Sequence, residues 1–467
     1  MKNLKIVSLL VLFTIQLFSD SIPYSLEERL QTIPLPPSSY SIQVQSLRNQ
    51  EVVASWRAHQ VRTPASVIKL LTTYSSLLSL GYDYRWETKF YYTGRLKGGV
   101  LRGNLIIEAS GDPTLKSSDL DGIVAQLKRA GIKRVLGKIV IDRSIFKVPN
   151  KNSSGFDKNV YSAYNAMPDA MMFNERMSQV SINCRRKGRR ARVEKNIPDL
   201  SYKVVNKIRL VNGSCRGKRA WPKMTIRNST MTFTGKISRR CGKRNYCKVI
   251  TKPYLSFYYA LKDKMKKSGI SHRVKLKLQK KPKGAKYLFS HFSDRLEDIL
   301  SVVAKESNNL YARHLMLTLG AKIYGKPATI YKGREAIEKI LRPYYILENG
   351  KNFIDNGCGL SRVSKVTAKS LTNLLDHAGK HYGQRWMNTL SIAGVDGTIK
   401  GRFQNSIVFN RAWMKTGTIK SVANIAGYVQ GASGEMYIVV VLVNDPLSAK
   451  YGKKLANSII EWVAESQ

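Results

Sequence analysis

Residues 181–290 carry 33 Lys and Arg against 3 Asp and Glu, so 110 residues hold +30 of the chain's formal charge of +48. An evenly packed domain spreads its charge over one surface. A stretch this basic reads as a module with its own surface, and the rest of the chain must close around it. Hydrophobic residues make up 43% of the 467, a globular composition that excludes a chain disordered throughout. The basic stretch also holds four of the five cysteines, Cys184, Cys215, Cys241 and Cys247, while Cys358 stands alone. No CxxC pair occurs and no His is grouped with them, which argues against zinc. In an oxidising compartment the four allow three disulfide pairings. Cys241–Cys247 with Cys184–Cys215 is the simplest, and four free thiols is the other reading.

The N-terminus bears on the compartment. Met1–Lys5 is basic, Ile6–Phe18 is apolar apart from Ser8, Thr14 and Gln16, and Ser19-Asp20-Ser21 is small and polar. This is the pattern of a secretory leader removed near residue 19, too short for the about 20 residues of a membrane span. Export to the periplasm or cell envelope turns the positive surplus toward anionic envelope polymers or a membrane surface reached peripherally. It turns the surplus away from nucleic acid, for which no reader motif is present.

Either side of the basic stretch the pattern is mixed. Residues 40–56 read as two strands about a polar turn, and a helix follows with Thr63 as cap, Pro64 at its first position and Gly81 at its end. Residues 84–147 read as short strands with Gly turns. Helical spacing returns at Asp294–Lys305, with Ser293 as cap, and at Leu310–Tyr324, 334–341 and 364–377. Strands are expected at Ala412–Thr418, Ala423–Val429 and Met436–Val443, then a helix over 449–464. The first strands and helix therefore join the C-terminal half in one α/β domain, and the basic middle is inserted.

Three short motifs carry chemistry. Ser66-Val-Ile-Lys69 is an S-x-x-K on a predicted helix, where i, i+3 spacing puts both side chains on one face. A serine hydroxyl needs a base, and a lysine amine serves once burial and positive neighbours lower its pKa. Ser144–Lys147 repeats the tetrapeptide without a helix to align it. Ser307-Asn308-Asn309, an S-x-N between helices, offers a hydroxyl and an amide, although capping is the common role of such residues and Ser181–Asn183 also fits. Lys415-Thr-Gly-Thr418 occurs once, on a predicted strand, where Gly417 permits close backbone approach. No H-E-x-x-H or G-x-S-x-G is present, and the six His are scattered. No metal or cofactor is expected.

S-x-x-K, S-x-N and K-T-G in this order are the arrangement of penicillin-recognising serine enzymes. The chain resembles the D-alanyl-D-alanine carboxypeptidase/endopeptidase family typified by penicillin-binding protein 4, over about residues 25–465. Its 237 residues between Lys69 and Ser307 match the large insertion of that family. So do Ser110–Leu115, Asn356–Arg362, Ala393–Thr398 and Trp413–Thr418, with Cys358 where the family usually has Ser. Asp112-Pro-Thr114 and Gly397-Thr398 are expected to serve turns and packing.

The resemblance implies an α/β fold, a β-lactamase/transpeptidase-like domain with an antiparallel sheet between helix layers and smaller β-rich domains inserted. The expected division is a leader at 1–19, a catalytic domain at 20–88 and 291–467, a β-rich insertion at 89–180 and 250–290, and a second, basic insertion at 181–249. By motif it implies Ser66 as nucleophile, Lys69 as base, Ser307 and Asn309 for proton relay and positioning, and Lys415 for electrostatics. Thr416, Gly417 and Thr418 would bind substrate, and the N–H groups of Ser66 and Thr418 would form the oxyanion hole. The implied activity is a serine DD-peptidase acting on peptidoglycan and acylated by β-lactams. The alternatives are a β-lactamase or esterase on the same fold, or a non-catalytic wall-binding protein.

Overall fold

The structure is a computed structural model that describes residues 20–149, 156–185 and 188–467. The expected leader, Met1–Ser19, lies outside the described residues. Helix α1 (Tyr24–Gln31) precedes the hairpin of β1 (Tyr40–Ser46) and β2 (Val52–Trp56). A single helical turn, Ala65–Ile68, leads into α2 (Lys69–Leu80), which ends at Gly81 with φ of 80°. Thr63 does not cap it. Its backbone N–H and C=O are held by Asn444 and Asn424 instead, because the helix starts in a turn docked on neighbouring strands.

The chain then leaves this lobe. Strands β3 (Glu87–Tyr92), β4 (Arg95–Lys97), β5 (Val100–Arg102) and β6 (Leu105–Glu108) precede helix α3 (Leu120–Arg129), β7 (Arg134–Val135) and β8 (Ile139–Asp142). The basic stretch follows as β9 (Ser178–Asn183), β10 (Arg192–Lys195), β11 (Lys203–Val211), β12 (Lys223–Arg227), β13 (Thr230–Ser238) and β14 (Lys243–Lys248). Helix α4 (Pro253–Lys267) and strands β15 (Ser271–His272), β16 (Leu276–Leu278) and β17 (Lys286–Phe292) lead back. The order β16-β8-β6-β3-β17 makes one five-stranded sheet, so residues before and after the basic stretch share a sheet. They also share a core, with Phe90, Ile141, Phe257 and Leu261 buried together. Helices α3 and α4 are not foreseen by the β-rich reading. The basic strands form two three-stranded sheets, β10-β9-β14 and β11-β13-β12, with their own core.

Neither expected disulfide forms. Cys215 bonds Cys241, while Cys184, Cys247 and Cys358 are free. Cys247 lies six residues beyond Cys241, along extended β14. Cys241 is taken by Cys215, and the extended run of β14 carries Cys247 away from the turn at Arg239–Cys241.

The return half runs α5 (Leu296–Lys305), α6 (Asn309–Tyr324), α7 (Ile330–Leu341), α8 (Ala368–Met387), β18 (Ser391–Ile392), β19 (Ala412–Ile419), β20 (Val422–Gln430), β21 (Met436–Asn444) and α9 (Lys453–Ser466). Ser293 does not cap α5, because its hydroxyl accepts the Trp86 N–H at 2.9 Å. Six strands in the order β18-β19-β20-β21-β1-β2 form one antiparallel sheet. Helices cover both faces, as the expected layering has it. Along β21, Ile438, Val440 and Leu442 face the core shared with α2 and α5–α8. Val439, Val441 and Val443 face the core shared with α1 and α9. Alternation with both faces apolar is what a strand between two helix layers requires, and each such side chain contributes about 1.5–3 kcal/mol on burial.

Candidate active site

The three motifs meet at one end of this sheet. The turn that carries Ser66 is fixed from three sides. Asn424 of β20 donates to the carbonyls of Thr63 and Pro64, both at 2.9 Å. Gly417 of β19 lies so close that a Cβ there would sit 2.8 Å from Pro64 O and 2.9 Å from Ser66 N. Gly359, at φ 82°, leaves room for Ala65 O, which a Cβ would meet at 1.9 Å. Ala65 itself takes φ 47°, a strained conformation that these contacts hold in place.

Lys69 starts α2 and is fully buried. Its Nζ lies 2.8 Å from Ser66 Oγ and 2.7 Å from Asn309 Oδ1, and it also meets the Cys358 carbonyl. Burial pulls its pKa down to about 8, with Cys358 opposing and the Arg313 guanidinium adding to the fall. Ser307 sits in the turn between α5 and α6 at φ 57°, and Asn309 is the first residue of α6. Lys415, buried on β19, donates to Ser307 Oγ at 3.1 Å and to Thr416 O at 2.8 Å. Burial and the neighbouring Lys69 hold its pKa well below the usual ammonium range.

Ser66, Ser307, Thr416 and Thr418 line a cleft of about 500 Å³. Strand β18 pairs β19 only at Trp413 and Met414. From Lys415 onward that edge of β19 is without a partner strand among the described residues, and it borders the cleft. The structure thus brings all eight motif residues to one place: Ser66, Lys69, Ser307, Asn309, Lys415, Thr416, Gly417 and Thr418. The second copies fall elsewhere. Ser144 follows β8, its N–H on Asp142 Oδ1, and Ser181 bonds Asn245 on the basic sheet.

Several groups at the site carry no motif. Thr398, expected to serve a turn, lines the cleft and accepts a hydrogen bond from the Thr416 hydroxyl at 2.8 Å. The Asn309 amide donates to Tyr164 O at 3.1 Å, and Arg313 Nη1 donates to Ala166 O at 2.5 Å. A segment between β8 and β9 therefore reaches back over α6. Cys358, at the position usually held by Ser, is fully buried and its Sγ meets Asn356 Oδ1 at 3.1 Å.

A serine beside a buried, pKa-lowered lysine, in a cleft walled by a free strand edge, defines a serine-type hydrolase on an α/β transpeptidase-like fold. The chain belongs to the D-Ala-D-Ala carboxypeptidase 3 (S13) family, whose pattern matches residues 23–466. It is 25% identical over 403 residues to D-alanyl-D-alanine carboxypeptidase DacB of Haemophilus influenzae, covering 85% of this chain and 84% of that one. It is 26% identical over 397 residues to a D-alanyl-D-alanine carboxypeptidase of Actinomadura sp., covering 81% and 72%. Among solved structures it is similar to penicillin-binding protein 4 of Haemophilus influenzae, with a TM-score of 0.77, 24% identity, and coverage of 93% and 99%. Among the described residues no helix is long and apolar enough to cross a membrane.

Proposed function

We propose that Ser66 is the acylated nucleophile of a DD-peptidase that trims D-Ala-D-Ala ends, and D-amino-acid cross-links, of peptidoglycan in the cell envelope. The observation that carries the reading is the 2.8 Å contact of Ser66 Oγ with Lys69 Nζ, inside a cleft that also holds Ser307 and Lys415. Neutral Lys69 takes the Ser66 proton as Oγ attacks the penultimate D-Ala carbonyl carbon. The N–H groups of Ser66 and Thr418 receive the oxyanion. The C–N bond breaks, and the leaving D-alanine amine takes a proton from the Lys69–Ser307–Lys415 group. Water then attacks the ester and frees Ser66. The peptide lies along the free edge of β19, where main-chain bonds orient it without a demand on its side chains. Asn309 holds its carbonyl, and Thr416 and Thr418 hold its terminal carboxylate. β-Lactams acylate the same oxygen. Released from its leader, the protein works in the periplasm, and its basic region keeps it beside anionic envelope material.

Labelling with a fluorescent penicillin tests this. Wild type and Ser144→Ala give a covalent band, and Ser66→Ala gives none. No band from folded wild type overturns the assignment.

A further inference from the structure

The sheet β11-β13-β12 of the basic region has one face in the core and one face outside. Ile208, Leu210, Met231 and Phe233 point inward. The alternate residues form the outer face, and the register arranges them in rows. Lys203 lies opposite Thr230, which lies opposite Arg227. Lys207 lies opposite Thr234 and then Lys223. Arg209 lies opposite Lys236 on one side and Arg190 on the other. Neighbours in a row are about 4.8 Å apart and adjacent rows about 6.6 Å, with the uncharged row Val205–Thr232–Thr225 between those of Lys203 and Lys207.

This face has no internal counter-charge. The three acids of residues 181–290 are committed elsewhere: Glu194 pairs with Arg192, Asp199 is buried and accepts from Ser201 and Ser256, and Asp263 pairs with Lys267. Like charges directly opposite on a sheet destabilise it, so the row Arg190–Arg209–Lys236 costs folding energy that nothing on the face recovers. At its edge, the one β-bridge to β11 among the described residues is at Arg209, and a recess of about 380 Å³ opens there, lined by Arg190 and Val205–Arg209.

We propose that this face binds an extended polyanion, a polymer with phosphate or carboxylate groups repeating along its length. Cations at Lys203, Lys207 and Arg209 along β11 and at Lys223 and Arg227 along β12, roughly 7–13 Å apart, match charges that repeat along a chain. The threonine hydroxyls between them hydrogen-bond phosphate or sugar oxygens, and the recess seats one anionic group against the β11 edge. A planar lipid surface does not enter a recess. Single-stranded nucleic acid is held on aromatic platforms that stack its bases, and the outer positions of these three strands carry no aromatic residue. The assignment does not depend on the reading of the cleft.

The test uses the whole mature protein, with linear polyphosphate and polygalacturonate as probes and neutral dextran as control. Wild type binds one or both of the polyanions. The K203Q/K207Q/K223Q variant, its fold checked by circular dichroism, loses at least tenfold in affinity. By analogy with counterion release from nucleic acids, its log–log salt slope falls by about 2. K97Q/K128Q/K138Q, which removes three exposed lysines outside the region, changes affinity less than twofold. Equal losses in the two variants overturn the proposal, since binding would then follow net charge alone. Tighter binding of phosphatidylglycerol vesicles or of an oligonucleotide also overturns it. Polymer protection of Lys203, Lys207 and Lys223 from acetylation in wild type needs no variant, and absence of protection counts against the face.

Discussion

At the scale of the residue, Lys69 decides the pH behaviour. In the proposed mechanism only its neutral amine accepts the Ser66 proton. With a pKa lowered to about 8 by burial, the neutral fraction grows as pH rises, so penicillin acylation increases from pH 7 to 9 with an inflection near 8. Arg313 contributes to the fall through its charge. In R313Q the inflection moves upward, toward the ordinary lysine range, and acylation at pH 7 drops. Stopped-flow acylation across pH reads both, and an unmoved profile in R313Q would remove Arg313 from the account. The serines, lysines and amide of the three motifs were legible because short spacing on a helix, a turn and a strand already sets their geometry. Arg313, Thr398 and the Tyr164 carbonyl were not, because each reaches the cleft from an element whose position only tertiary packing sets. Thr398 alone had a signal, lying in the Ala393–Thr398 segment of the family resemblance.

Among the elements, the contact of β19 with the Ser66 turn matters most. Gly417 meets backbone atoms there and not the ends of flexible side chains, so Gly417→Ala has to push strand and turn apart. A shift approaching 1 Å lowers acylation by about 100-fold, whereas Gly434→Ala, in an open hairpin turn, leaves acylation unchanged. A second-order rate constant with penicillin separates the two. The late strands and most helices were legible from apolar periodicity. The pairing Cys215–Cys241 was not, since it depends on how β13 and β14 fold against the loop after β11. That disulfide closes a loop of 26 residues, worth about 3–4 kcal/mol on the chain-entropy estimate. C215S/C241S therefore loosens β11–β13, read as faster amide exchange over 203–238, while penicillin labelling stays at the wild-type rate. Slowed labelling would mean that the basic sheets support the cleft.

At the scale of the whole molecule, the two lobes meet where the 111–114 loop packs on α6. His314 Nδ1 contacts Gly111 O at 2.8 Å, Thr114 N–H and Oγ1 both donate to Asp112 Oδ1 at 2.7 Å, and Asp112 Oδ2 is buried without a partner among the described residues. Burial pushes the Asp112 pKa up to about 7 and the His314 pKa down to about 4. Their effects on stability have opposite signs. Between pH 4 and 7 the folded protein holds the Asp112 proton more tightly than the unfolded chain does, so stability from Asp112 is present below about pH 4 and lost as pH rises through 7. The buried, neutral His314 behaves inversely: its stability is present above about pH 6.5 and lost as pH falls toward 4. In wild type the two slopes oppose each other. D112N keeps an oxygen for Thr114 and removes the buried charge, so it gains on wild type as pH rises from 4 to 7, while the His314 slope is common to both proteins. Melting temperatures of the two proteins at unit pH steps read the difference. A constant offset across that range would mean that Asp112 stays ionised at the seam and that the lobes are joined without a titrating group.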